Sequence, residues 1–199
     1  MKVQVVRRVL ALALVMLLGS ALPATAAEME TAVLAGGCFW CVETIYESLE
    51  GVEEVYSGYA GGSTENPNYY QVMSGKTGHA EAIEIIYDSS KVSFDMLLKV
   101  FFDSHNPTTP NRQGPDYGTQ YRSIAFFNNQ EEKEKINNYI NFLSTSSIFG
   151  KNIITEVKKI DKFYYAEEYH QDYEKRNPNN SYVQNFSIPR LNKFKLLFP

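Results

Sequence analysis

The sequence predicts an α+β fold: a split βαβ, ferredoxin-like core followed by a long irregular C-terminal region. Three observations lead there. Through Phe127 the hydrophobic period switches between two and 3.6 residues in the order β-α-β-β-α-β. The helical stretches are apolar on one face only, so they form a layer against a mostly antiparallel sheet. After Arg176 no period is sustained.

Each element has a local reason. Thr31–Ala35 reads as a short buried strand ended by Gly36-Gly37. From Cys38, the spacing Val42, Ile45, Tyr46, Leu49 marks one helix face, stopped at Gly51. Val52–Tyr59 is β-rich, and residues 60–78 form a polar loop long enough to suggest function. Ala80–Tyr87 is the next strand. Ser93 is placed to cap a helix whose Phe94, Leu97, Leu98, Phe101 and Phe102 share a face. Residues 106–120 are irregular and broken by prolines and glycines. Tyr121–Phe127 is a strand, a charged helix follows with Ile136, Ile140 and Leu143 inward, Asn152–Ile160 is a strand, and Ala166–Arg176 reads as the last helix.

The amino terminus reads as a signal peptide over residues 1–26, removed on export: Lys2, Arg7 and Arg8, an apolar run to Leu22, then Pro23 and small residues. Residues 27–199 then form one domain, large enough for a real core. Removing three of the 19 basic residues leaves 16 against 23 acidic ones, a formal charge of −7. That balance, with no basic stripe, excludes a nucleic-acid surface, and a cleaved leader leaves no membrane anchor. The stretch Leu34–Cys38 imitates a lipoprotein processing site, but the apolar segment ends more than ten residues earlier. The expected location is periplasmic or secreted, and the chain is expected to act as a monomer.

The chemistry concentrates in Gly36-Gly37-Cys38-Phe39-Trp40-Cys41-Val42-Glu43, which holds both cysteines and the only tryptophan. At a helix start, free N–H groups favour a thiolate, and Cys38, nearer the N-terminus, is the better nucleophile candidate. Such a pair also suits a disulfide oxidoreductase acting on other proteins, or an inert disulfide in a binding protein. Phe39 and Trp40 read as core aromatics. Glu81 reads two ways: a carboxyl held on the apolar side of its strand with Ile83 and Ile85, or a strand-edge glutamate facing water as Glu84 does. Tyr69, Tyr70, Asp116, Tyr117 and Tyr121 are candidate hydrogen-bonding loop residues. His79, His105 and His170 are too far apart in sequence for a zinc motif, so no metal is expected.

Together these segments are similar to the A-type peptide-methionine sulfoxide reductases. The resemblance rests on Gly37–Glu43, on Ser57-Gly58-Tyr59-Ala60-Gly61-Gly62 with Asn66-Pro67-Asn68-Tyr69, and on Thr77–Ala82. It continues through Arg112–Asp116, Gly118–Ser123 and the late stretch Phe163-Tyr164, Ala166-Glu167, Tyr169-His170-Gln171. It spans nearly the whole mature chain, in order. It implies reduction of methionine S-sulfoxide, free or in proteins, with no cofactor: Cys38 attacks sulfur, Glu81 protonates the oxygen, and Tyr69 and Tyr121 bond to that oxygen. It further implies that Asp116 lines the site and that Phe39 and Trp40 receive the S-methyl group, in place of the core reading. Methionine leaves and Cys38 becomes a sulfenic acid.

One departure matters. Many relatives recycle through cysteines in a C-terminal tail, whereas here Asn177-Pro178-Asn179-Asn180-Ser181-Tyr182 runs into Val183 with no tail cysteine. Cys41 is then the candidate resolving thiol, giving a Cys38–Cys41 disulfide for a thioredoxin-like reductant.

Overall fold

Alternate side chains of the first long strand face two different cores. Ala32 and Leu34 join a large cluster with the helices, while Val33 and Ala35 join a smaller one across the sheet with Ala60, Ala80, Ala82, Ile124 and Phe126. The two-residue period of an extended chain produces this division, and the helices cover one face of the sheet.

The computed structural model describes residues 28–198, so the expected signal peptide lies outside the described residues. In chain order the elements are β1 (Met29–Gly36), α1 (Phe39–Glu47), β2 (Val52–Ala60), α2 (Tyr69–Met73), β3 (Ala80–Asp88) and α3 (Phe94–Ser104). There follow β4 (Arg112–Gln113), β5 (Asp116–Tyr117), β6 (Ser123–Phe127), α4 (Gln130–Thr145), β7 (Glu156–Lys159), β8 (Phe163–Tyr165), α5 (Tyr173–Arg176) and α6 (Ile188–Leu197). Six strands form one sheet in the order β7-β6-β1-β3-β2-β8, antiparallel except for β6 with β7. The fold is α+β, as expected. No helix of the described residues is long and apolar enough to cross a membrane.

Local chemistry starts the helices where the sequence places them. Ser93 Oγ accepts from Met96 N at 3.2 Å and caps α3. Asn129 caps α4 through Glu132 N at 2.9 Å. Helix α1 buries Phe39, Val42, Ile45 and Tyr46 against β2, β3 and α3. Each of these large side chains contributes roughly 1.5–3 kcal/mol by leaving water, which presses the cysteine-bearing helix onto the sheet.

The carboxyl-terminal third departs from expectation. The stretch read as a helix from Ala166 to Arg176 is a 3₁₀ turn at Glu168–His170 and the short α5, separated by Asp172 at φ 51°. The region expected to be irregular holds a π-helical turn at Val183–Ser187 running into α6. Its periodic face is sparse, yet Val183, Ser187 and Phe194 are buried and α6 packs on α1 and α3. Pro189 in the first turn has no N–H to give, which favours the widened turn just before it.

Short elements inside the loops were equally hidden. Helix α2 starts at a reciprocal cap in which Asn68 Oδ1 accepts from Gln71 N at 3.0 Å and Gln71 Oε1 accepts from Asn68 N at 2.9 Å. Strand β8 lies against Gly58, where a Cβ would stand 2.4 Å from the Tyr164 carbonyl oxygen and closer still to the Phe163 ring. Glycine therefore permits the sixth strand.

Candidate active site

The reactive segment begins where β1 ends. Gly37 has φ +96°, and a Cβ there would lie 2.5 Å from Gln113 Cγ in the β4–β5 ribbon. Only glycine takes this turn against that neighbour. Cys38 is the N-cap of α1, but its side chain does not cap the helix. The first N–H of the helix, on Phe39, donates instead to Glu81 Oε2 at 2.9 Å. A carboxyl group from the middle of the sheet thus meets the residue next to the thiol.

Glu81 is 2% exposed and shares the large apolar core's side of β3 with Ile83 and Ile85, which settles its two readings in favour of burial. Burial raises its carboxyl from the usual range to about 8; the Phe39 N–H opposes this and the nearby Asp116 carboxylate adds to it. At neutral pH Glu81 is therefore a protonated acid. One oxygen is held by the helix, which orients the other.

Cys38 and Cys41 are both buried free thiols. They interact with each other, which lowers the Cys41 thiol and raises that of Cys38. The hydrogen bond from Cys38 lowers Cys41 most, with Arg190, Ser187 and Tyr182 helping against burial. Burial, then Cys41 and the facing Glu81 and Asp116, raise Cys38. The sequence argument gave Cys38 the advantage of the helix start. The structure gives the first helical N–H to Glu81, and it is the thiol one turn further along, Cys41, that is lowered.

Phenols and aromatic rings complete the surroundings. Burial raises Tyr69 to about 12 and pushes Tyr121 higher, with Glu81 and Cys38 among the charges each senses, so both remain protonated donors. The Tyr121 hydroxyl rests on the Met73 sulfur at 3.4 Å, a weak acceptor that a polar oxygen would readily displace. Asp116, on β5, accepts from the Tyr182 hydroxyl at 2.6 Å, and burial raises its carboxyl above the usual range. Phe39 is 1% exposed and belongs to the core, while Trp40 is only partly buried. Trp40 stacks on Tyr173 at 3.6 Å between ring centres, and its Nε1 donates to His170 Nδ1 at 3.1 Å. Tyr70 and Tyr117 are 79% and 65% exposed and point away from this interior.

Several participants escaped the sequence argument. Glu167 accepts from the Tyr59 hydroxyl and from Tyr69 N, both at 2.9 Å, and so ties the start of α2 to the sheet. His170 packs 5.0 Å from Phe39 and 4.5 Å from Tyr69, and its buried Nε2 has no partner among the described residues. Tyr182, Ser187 and Arg190 come from the region expected to be irregular. The one available signal was the Ala166–Gln171 stretch, which holds Glu167 and His170. Among the described residues, no group of three His, Cys, Asp or Glu side chains is placed to hold a metal ion.

A pair of buried thiols beside a neutral acid and protonated phenols defines an enzyme that reduces a polar oxygen-bearing group by thiol chemistry. Residues 30–197 match the family model described as "Peptide methionine sulfoxide reductase". The chain is 50% identical over 172 residues to peptide methionine sulfoxide reductase MsrA of Trichodesmium erythraeum, covering 86% of this chain and 97% of that one. It is 51% identical over 169 residues to MsrA 1 of Rhodopirellula baltica, covering 85% and 87%. Mxr1 from Saccharomyces cerevisiae in reduced form is similar in structure, with a TM-score of 0.73 and 32% identity over 81% of this chain and 92% of that one. Mxr1 in complex with Trx2, at 24% identity and a TM-score of 0.53 over 77% and 91%, shares the fold. The chain belongs to the peptide methionine sulfoxide reductase family, and its reaction is the thiol-dependent reduction of methionine sulfoxide to methionine.

Proposed function

We propose that Cys38 attacks the sulfur of the S epimer of methionine sulfoxide, free or within a protein, while Glu81 delivers its proton to the oxygen. The observation that carries this reading is the 2.9 Å bond from Phe39 N to Glu81 Oε2, which fixes a neutral acid beside the thiol. A sulfoxide oxygen leaves poorly until protonated, and a positioned acid lowers that barrier by the equivalent of about 10²–10⁴ in rate. Tyr69 and Tyr121 hold the oxygen, Asp116 lines the site, and Phe39 with Trp40 takes the S-methyl group. Methionine departs and Cys38 is left as a sulfenic acid.

Cys41 then attacks the Cys38 sulfenic acid, releasing water and forming the Cys38–Cys41 disulfide. The placement of one thiol at the N-cap and the other three residues on supports that closure. A thioredoxin-like dithiol protein restores both thiols; the Mxr1 structure with Trx2 motivates that class of donor. The leader over residues 1–26 supports export, with residues 27–199 as a single catalytic domain working as a periplasmic or secreted monomer. The order β6-β1-β3-β2 among the first four strands of the sheet along the chain supports a ferredoxin-like description of the core.

Mass spectrometry after one equivalent of S-sulfoxide tests the sequence of steps. Wild-type protein should yield one methionine and a loss of two hydrogens localised to Cys38 and Cys41. Cys38→Ser should yield no methionine. Cys41→Ser should yield one methionine and then stop, and sustained donor-driven turnover in that variant would eliminate the resolving role.

A further inference from the structure

One thioether sits among the hydrogen-bonding groups of the site. Helix α2 carries Tyr69 at its first position and Met73 at its last, one turn apart on the same face. Both side chains are half-buried against the large apolar core, and neither is sealed from solvent. Two donors from the turn at Thr119–Tyr121 converge on the Met73 sulfur: the Tyr121 hydroxyl at 3.4 Å and Gln120 Nε2 at 3.9 Å. Gln120 is 6% exposed, so its amide is held in the interior beside that sulfur. A thioether accepts hydrogen bonds weakly, whereas the sulfoxide made from it is polar and accepts them well. An O–H and an N–H donor thus face a sulfur that makes little use of them.

We propose that Met73 is an oxidation site that turns the enzyme down: its sulfoxide oxygen takes the Tyr121 hydroxyl and the Gln120 amide, and the incoming substrate loses that phenol. This rests on the reading of Tyr121 as a phenol that holds the substrate oxygen. The oxidant is a hydroperoxide. A lone pair of the Met73 sulfur forms an S–O bond to one peroxide oxygen as the O–O bond breaks. The sulfur is oxidised and the peroxide reduced; the departing oxygen takes up the proton of the transferred one, and with hydrogen peroxide it leaves as water. The product carries the functional group of the substrate, tethered to the phenol by the chain itself. A tethered group competes at high effective concentration with a sulfoxide arriving from solution. Oxidation removes one of the two phenols, so it lowers activity without abolishing it.

The test is treatment with hydrogen peroxide while methyl methanethiosulfonate reversibly blocks the thiols, followed by dithiothreitol and desalting. Peptide mass spectrometry then reads oxygen uptake at each methionine. Met29 and Met96, 48% and 41% exposed, are oxidised in the same treatment and are retained in the control variant Met73→Leu. The first turnover on added methionine sulfoxide should fall about tenfold in molecules oxidised at Met73, the loss expected from one hydrogen bond. Treated Met73→Leu should keep the rate of untreated Met73→Leu. A second readout needs no activity. In a Cys38→Ser/Cys41→Ser background, oxidation of Met73 should lower Tm by about 2–4 °C more when Tyr121→Phe is added, because the new oxygen then lacks its donor. If Met73→Leu fails to fold, this comparison carries the test alone. Undiminished first turnover with Met73 oxidised, an equal loss in Met73→Leu, or equal falls in Tm with and without the phenol would overturn the proposal. So would a Met73 that stays unoxidised once Met29 and Met96 are fully oxidised. A Tyr121→Phe protein whose first turnover matches wild type would remove the reading of Tyr121 instead.

Discussion

Phe39 N and Glu81 Oε2 are 2.9 Å apart, joining the first turn of the cysteine-bearing helix to the middle of the central sheet. The bond performs two tasks. It satisfies a helix N–H that no side chain of the segment caps, and it orients an acid that burial keeps protonated. Much of the site's behaviour follows from this pairing.

On the proposed mechanism the acid limits activity at high pH. Glu81 gives up its proton near 8, so the first-turnover rate should fall as pH rises through 8. Glu81→Gln should flatten that fall and cost less than Glu81→Ala, because the amide still donates a hydrogen bond. Glu81→Ala should lose about 10²–10⁴ in single-turnover rate. Rapid-quench measurement of methionine formed per enzyme checks both, and equal losses in the two variants would count against proton donation.

On the proposed mechanism the phenols contribute by hydrogen bonding. Tyr69→Phe and Tyr121→Phe should each slow the first turnover by about tenfold, the size of one bond of roughly 1.5 kcal/mol to the oxygen. The double variant should lose on the order of a hundredfold. Stability should hardly change, because Tyr121 gives up only a weak contact to the Met73 sulfur. A double variant as active as wild type would remove the phenols from the mechanism.

A second buried carboxyl sits on the cysteine-bearing helix α1 and should control stability. Glu43 is 1% exposed, its Oε2 has no partner among the described residues, and burial raises it to about 8; the backbone of Asp172 opposes the shift and the charge of Glu47 adds to it. In the unfolded chain the group ionises near 4.3, so below that pH it imposes no penalty. The penalty grows as pH rises through the window and is complete above about 8. Glu43→Gln should therefore gain stability over wild type between pH 4 and pH 9, by on the order of a few kcal/mol. Thermal melts of both proteins at pH 4, 7 and 9 measure it; parallel curves would contradict the assignment.

The turn before the thiol should not tolerate a side chain. Gly37→Ala places a Cβ at φ +96° and 2.5 Å from Gln113 Cγ. Strain and overlap together should cost about 2–4 kcal/mol and lower Tm by roughly 5–15 °C. Gln113→Ala in the same chain should restore part of the loss by relieving the overlap.

The sequence by itself determined the elements that rest on long, regular periods: β1, α1, β2, β3, α3, β6 and α4, with Ser93 as a cap. Its motifs also placed the chain in its family, and Cys38, Glu81, Tyr69, Asp116 and Tyr121 lie within them. Only the tertiary structure decided which way Glu81 faces, since two-residue alternation places it on a side of the strand without saying what covers that side. It likewise decided the directions in which the two thiols shift, Cys41 down and Cys38 up. Glu81 takes the helix N–H of Phe39, and Arg190, with Ser187 in the widened turn, acts to lower Cys41. These partners are 42, 149 and 146 residues from Cys41 or its neighbour Phe39 along the chain. Periodicity reports only what is near in sequence, whereas a pKa and a buried hydrogen bond depend on what is near in space.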